Sequence, residues 1–150
     1  MSVKKRTVKK PAKVWNVGDV VPAGTTAYKA VRGGVRDDDW YILKCITAAD
    51  GIALGWNNKF PVKFKVPSVI VKDAWKVTGG ECTKCRHHVR KGTAHTYKER
   101  FVADFTRYTS TKFRYTLGKL AIVKDYTNDR FCGEGIHLFP TRAAALDYAK

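Results

Sequence analysis

The run Trp40-Tyr41-Ile42-Leu43-Lys44-Cys45-Ile46-Thr47 constrains the fold of this chain more than any other stretch. Its aromatic and β-branched side chains lose rotamer freedom in a helix and pack well on a pleated surface, so it reads as a strand. A strand needs partners. Ala27-Tyr28-Lys29-Ala30-Val31-Arg32 alternates in polarity just before it and reads as another. Gly33-Gly34 opens a turn expected to run through Asp37-Asp38-Asp39, giving a hairpin with a long loop. Three consecutive aspartates do not converge easily on one cation, so this acidic run is expected to be a solvated turn.

The same reasoning extends down the chain. Phe60–Val66 alternates apolar and cationic residues, which predicts one wet face, and Pro61 and Pro67 place it near a sheet edge. Val69–Val77 is rich in β-branched residues and reads as a strand. Phe113–Leu117 and Lys119–Tyr126 read as strands around Gly118, and Ile136–Phe139 as a short one. Two helices are expected. Tyr97, Phe101 and Phe105 recur at i, i+4 and i+8 within Thr93–Phe105, which is helical spacing. Thr141 follows Pro140 and precedes an alanine-rich run from Arg142, the pattern of a capped helix start. The predicted class is α+β: mainly antiparallel sheet, one or two short helices and a C-terminal helix. A single domain is expected over residues 14–150, after a flexible basic tail over residues 1–13.

Charge is the next constraint. The formal net charge is +16, from 29 Lys and Arg against 13 Asp and Glu. The tail contributes Lys4, Lys5, Arg6, Lys9, Lys10 and Lys13 and no acid, yet the rest of the chain is still basic in its own right. A body with that excess repels itself unless an anionic partner meets it, and nucleic acid is the commonest such partner. No apolar run approaches the ~20 residues that span a bilayer, and no hydrophobic stretch follows the cationic start. A cytosolic protein with no membrane partner is expected.

The bases concentrate between Cys82 and Thr116: Lys84, Arg86, Arg90, Lys91, Lys98, Arg100, Arg107, Lys112 and Arg114, opposed there by Glu99 and Asp104. Tyr108, Phe113 and Tyr115 are interleaved with them. Cations neutralise phosphates and aromatic faces stack on unpaired bases, so this mixture suits single strands better than readout of a groove. Lys4, Lys5, Arg6, Lys9, Lys10, the nine bases of that region and Tyr115 are the predicted nucleic-acid contacts. A charged wet face backed by buried aromatics would produce the same alternation.

The cysteines suggest a metal. Cys82 and Cys85 form a CxxC, which supplies two thiolates at the reach of one zinc ion. His87, His88, His95, Cys132 and His137 are available to complete a tetrahedron, and Cys82, Cys85, Cys132 and His137 are the predicted ligand set. The CxxC neither opens an evident helix nor follows a βαβ pattern, which argues against a thioredoxin-like role. A thiolate–imidazole pair of Cys85 or Cys132 with His137 has no local signature, and no catalytic residue is assigned.

Several motifs recur together: Lys84-Cys85-Arg86, then Tyr115-Thr116-Leu117-Gly118, then Cys132-Gly133-Glu134-Gly135-Ile136-His137, then the short helix ending at Tyr148. This series resembles an uncharacterised domain of bacteriophage and giant-virus proteins, over roughly the C-terminal half of the chain. The resemblance implies a viral origin, hence a host cytoplasm or a virion, and no particular activity. Gly135–Phe139 with the following helix is also similar to the Gly-Ile-Tyr-Phe stretch of ADP-ribosyltransferases, with His137 where tyrosine is expected. Three functions follow as expectations. The first is a phage-type, non-sequence-specific nucleic-acid-binding protein. The second is a structural or interaction protein, either a virion component or a binder or inhibitor of an acidic host protein. The third is an ADP-ribosyltransferase-like enzyme.

Overall fold

The computed structural model describes residues 14–34, 37–78, 92–96, 98–103, 113–124, 126 and 135–149. The fold is α+β and mostly antiparallel sheet, with one helix near the C-terminus. Its spine is a three-stranded meander of β2 (Thr26–Gly34), β3 (Asp37–Thr47) and β6 (Ser68–Thr78). β2 and β3 pair from Thr26↔Ile46 to Arg32↔Trp40, and β3 pairs with β6 from Thr47↔Val69 to Tyr41↔Lys76.

The chain then curls this meander into an incomplete ring, since the hydrogen-bonded strand order remains a path with two ends. β7 (Gly92–His95) lies against β6, while β8 (Arg100–Ala103), only a few residues later, lies against β2 on the far side. A second crossing follows the same path. β9 (Arg114–Thr116) pairs with β8, and β10 (Leu120–Ile122) pairs with β6. The turn between them is held to β6, where the Gly118 N–H donates to the Val71 carbonyl at 2.7 Å. Gly118 sits at φ +81°, a conformation that side chains with a Cβ adopt at a cost. Val31, Tyr41, Leu43, Cys45, Val71, Phe101 and Tyr115 are buried inside.

A smaller sheet caps this core. Its order is β1 (Val20–Val21), β4 (Gly51–Gly55), β5 (Val62–Val66) and β11 (Ile136–Leu138). Val21, Ala53, Phe64, Val66, Ile136 and Leu138 join the main cluster. Gly51 lets β4 approach β5 closely: a Cβ there would meet the Lys65 carbonyl and the Val66 side chain. The helix α1 (Arg142–Tyr148) packs outside the ring, setting Ala144, Ala145 and Ala149 against Ala30 and Ile42. Thr141 caps it, its Oγ1 accepting from the Ala144 N–H at 3.2 Å. At seven residues it owes its stability to packing rather than to propensity. Among the described residues no helix is long and apolar enough to cross a membrane.

Three local expectations are overturned. The helix expected over Thr93–Phe105 is absent where the chain is described: Gly92–His95 and Arg100–Ala103 are strands. A spacing of four keeps side chains on one face of a strand as well as of a helix, so the recurrence did not discriminate. Phe101 uses it to face the core, edge-on to Tyr41 at 5.1 Å between ring centres. Second, β5 is neither an edge strand nor wet on one side. It runs between β4 and β11, and Lys63 and Lys65 are both buried. Their ammonium groups lie over aromatic rings, with Lys63 Nζ 4.7 Å from the Trp56 ring centre and Lys65 Nζ 5.7 Å from that of Tyr126. Pro61 and Pro67 flank this strand without interrupting its ladder. Third, the turn through Asp37–Asp39 is shorter than expected. Gly34 pairs with Asp37, so the aspartates begin β3 instead of filling a loop.

Candidate nucleic-acid interface

Residues paired across antiparallel strands share a face of the sheet. Trp40 pairs with Arg32, Arg32 with Val102, and Val102 with Arg114. One row therefore crosses β3, β2, β8 and β9 on the outside of the ring. Arg100 lies two residues from Val102 on the same face, opposite Thr116. At about 4.8 Å between strands, the backbones carrying Arg32 and Arg114 are roughly 10 Å apart. Arg100 and Arg114 are exposed. The Arg32 guanidinium lies 3.9 Å from the Trp40 ring centre, and that of Arg142 on α1 lies 5.1 Å from Trp75 on β6. An arginine stacked this way is held in place through the face of its guanidinium.

The aromatic side of this surface is continuous. Trp40 meets Tyr148 edge-on at 5.9 Å, and Tyr148 contacts Phe139 and Trp56 at 5.5 and 5.9 Å. The helix is thus the wall along which the tryptophans are arrayed, packed on β2 and β3.

The predicted contacts divide four ways. Arg100 and Arg114 fall on this face. Lys98 lies by the β2–β3 turn instead, with its Nζ 3.6 Å from Asp37 Oδ2. Tyr115 is corrected: it is buried inside the ring, 2% exposed and edge-on to Phe113, so its ring is not available to stack on a base. The alternation in Arg114-Tyr115 sends the arginine out and the tyrosine in, and burial pushes the Tyr115 phenol well above its ordinary pKa. Lys4, Lys5, Arg6, Lys9, Lys10, Lys84, Arg86, Arg90, Lys91, Arg107 and Lys112 lie outside the described residues.

Of the predicted metal ligands, Cys82, Cys85 and Cys132 also lie outside the described residues. His137 is on β11 opposite Lys65, and its carbonyl accepts from Lys29 Nζ at 2.9 Å. Among the described residues no three His, Cys, Asp or Glu side chains gather as a metal site would require. Cys45 is a core residue. Burial pushes its thiol up to about 12, against a smaller opposing effect of Lys29. A thiol so protonated and enclosed is expected to be inert. In a brief iodoacetamide pulse, the peptide carrying Cys45 should stay unmodified in native protein and be fully alkylated in concentrated urea. Native labelling would show that the ring opens readily.

Arg32, Trp40, Trp75 and Arg142 were not among the predicted contacts. Even a hairpin drawn tightly from Gly34↔Asp37 would set Arg32 against Asp39; the bulge between Arg32 and Gly34 shifts the register so that Arg32 meets Trp40. Gly33 makes room for its neighbour across the hairpin, since a Cβ there would run into the Asp37 carboxylate. That carboxylate accepts from Tyr41 Oη at 2.6 Å. Burial raises the Asp37 pKa, but the bonds from Tyr41 and the Asp39 N–H, with Lys98 and Lys76 nearby, outweigh it and leave it lowered. A carboxyl lowered on folding stabilises the native state above its unfolded pKa, and that contribution disappears as pH falls through the folded value. Urea unfolding of the wild type should therefore show stability falling below about pH 4. Asp37→Asn should flatten that fall, and equal pH dependence in both proteins would contradict the assignment.

Set against known proteins, the chain matches no family model, no curated sequence and no solved structure.

Proposed function

We propose that the protein binds nucleic acid without sequence specificity and favours single strands. The observation that carries this reading is the row Trp40–Arg32–Val102–Arg114 with Arg100 beside it. Arginines fixed on tryptophan faces and flanked by exposed arginines offer phosphate contacts next to flat apolar surface. That is the combination sequence-tolerant single-strand binders use. The formal charge of +16 supplies the long-range attraction, and the basic tail would add to it. The resemblance to a phage and giant-virus domain would place this binding in a host cytoplasm or a virion.

The test is fluorescence anisotropy with single-stranded RNA, single-stranded DNA and duplex DNA over a salt series, on the full chain and on a chain starting at Val14. The expected result is tighter binding to single strands, retained without the tail, with log affinity falling linearly in log salt. Loss of all binding with the tail, or equal weak binding to every probe, would overturn the reading of the folded surface.

A further inference from the structure

A second surface lies on the outside of the ring, on the far side of the α1 footprint. Leu120 pairs with Ile70, Ile70 with Ile46, and Ile46 with Thr26. These pairings lay Leu120, Ile70 and Ile46 side by side across β10, β6 and β3, with Ile122 two residues along β10. None of the four belongs to either buried cluster. Leu120 is 56% and Ile122 60% exposed, and Ile46 and Ile70 are half-buried. The surroundings are cationic. Lys119 and Lys124 bracket β10, and Lys72 stands at the bulge in β6 beside Ile70; all three are exposed. Lys44 lies two residues from Ile46, facing Asp73 across the strands.

We propose that this stripe docks an acidic, extended polypeptide that carries aliphatic side chains at alternate positions. Three features select that occupant. β10 ends the described sheet, so a strand laid along it would continue the ladder. Leu120 and Ile122 present their side chains at a spacing of two, which matches the alternation of an extended partner. The lysines favour acidic residues on that partner and oppose a second copy of this chain, whose own Lys72, Lys119 and Lys124 would be brought against them. Aliphatic side chains provide no stacking face for bases, so the stripe is a separate surface from the arginine row and does not depend on what that row binds.

The experiment uses the full chain and two fluorescent probes of equal charge: a short synthetic peptide alternating glutamate with valine, and polyglutamate. The alternating peptide should bind about tenfold more tightly, and the double substitution Leu120→Gln, Ile122→Gln should erase the difference. Arg100→Gln with Arg114→Gln should leave peptide binding unchanged. Near-UV circular dichroism checks that the variants fold. If the double variant does not fold, Lys72→Glu replaces it and should weaken both probes. Four outcomes overturn the proposal: equal binding of the two probes; peptide binding that survives substitution of the stripe; self-association that disappears in the Leu120/Ile122 variant; or binding to phosphatidylserine vesicles without binding to the peptide.

Discussion

Phe64→Ala should cost about 3–5 kcal/mol of stability, the range found when a large buried ring is deleted and its cavity only partly collapses. Phe64 is fully buried at the join between the capping sheet and the ring. Trp15 packs edge-on against it, with ring centres 4.8 Å apart and planes at 70°. Its neighbours belong to strands fixed by ladders on both sides, as β5 pairs with β4 and β11. The cavity therefore has little freedom to close. For a chain of this length each kcal/mol moves the thermal midpoint by roughly 2–4 °C, so a fall of about 10 °C is expected in a calorimetric scan. Phe64→Leu keeps most of the volume and should cost much less. A midpoint for Phe64→Ala within about 2 °C of the wild type would mean that the two sheets do not share one core.

The second large effect concerns the proposed nucleic-acid surface. Arg100→Gln with Arg114→Gln should weaken binding of single-stranded RNA about tenfold at low salt and reduce the salt slope by about 1.4, at ~0.7 for each phosphate no longer neutralised. Both side chains are exposed, so the thermal midpoint should hardly change. The slope is the decisive readout. An affinity loss with the slope unchanged would point to altered stacking and not to phosphate contacts. An unchanged affinity and slope would move the contacts away from β8 and β9.

Much of the fold can be read from local pattern. The strand around Trp40–Thr47, the one around Ala27–Arg32, the β-branched run after Val69 and the cap at Thr141 all appear where expected. Each is decided within a few residues, by side-chain shape or by one hydroxyl reaching one N–H. The misread elements depend on partners distant in sequence. Lys63 and Lys65 look solvent-facing until Trp56 and Tyr126 are known to lie over them. Phe101 looks helical until β2 is known to pair with β8. The candidate site follows the same division. Arg100 and Arg114 could be found by counting charge along the chain. Arg32 and Trp40 could not, because they join the same face only through the register of β2 against β3 and β8.

The order in which the strands cover the meander has a consequence for how the protein is made. The meander of β2, β3 and β6 is complete once Thr78 has been synthesised, but its inner side waits for Phe101, Tyr115 and Ala121 before it is covered. That is a delay of roughly 40 residues, or about 2–8 seconds at 5–20 residues per second on the ribosome. During that interval Val31, Leu43 and Val71 lack the Phe101, Tyr115 and Ala121 side chains that complete their cover. The order of strands thus opens a defined window in which a chaperone, or a neighbouring nascent chain, can reach a surface that the finished protein never shows.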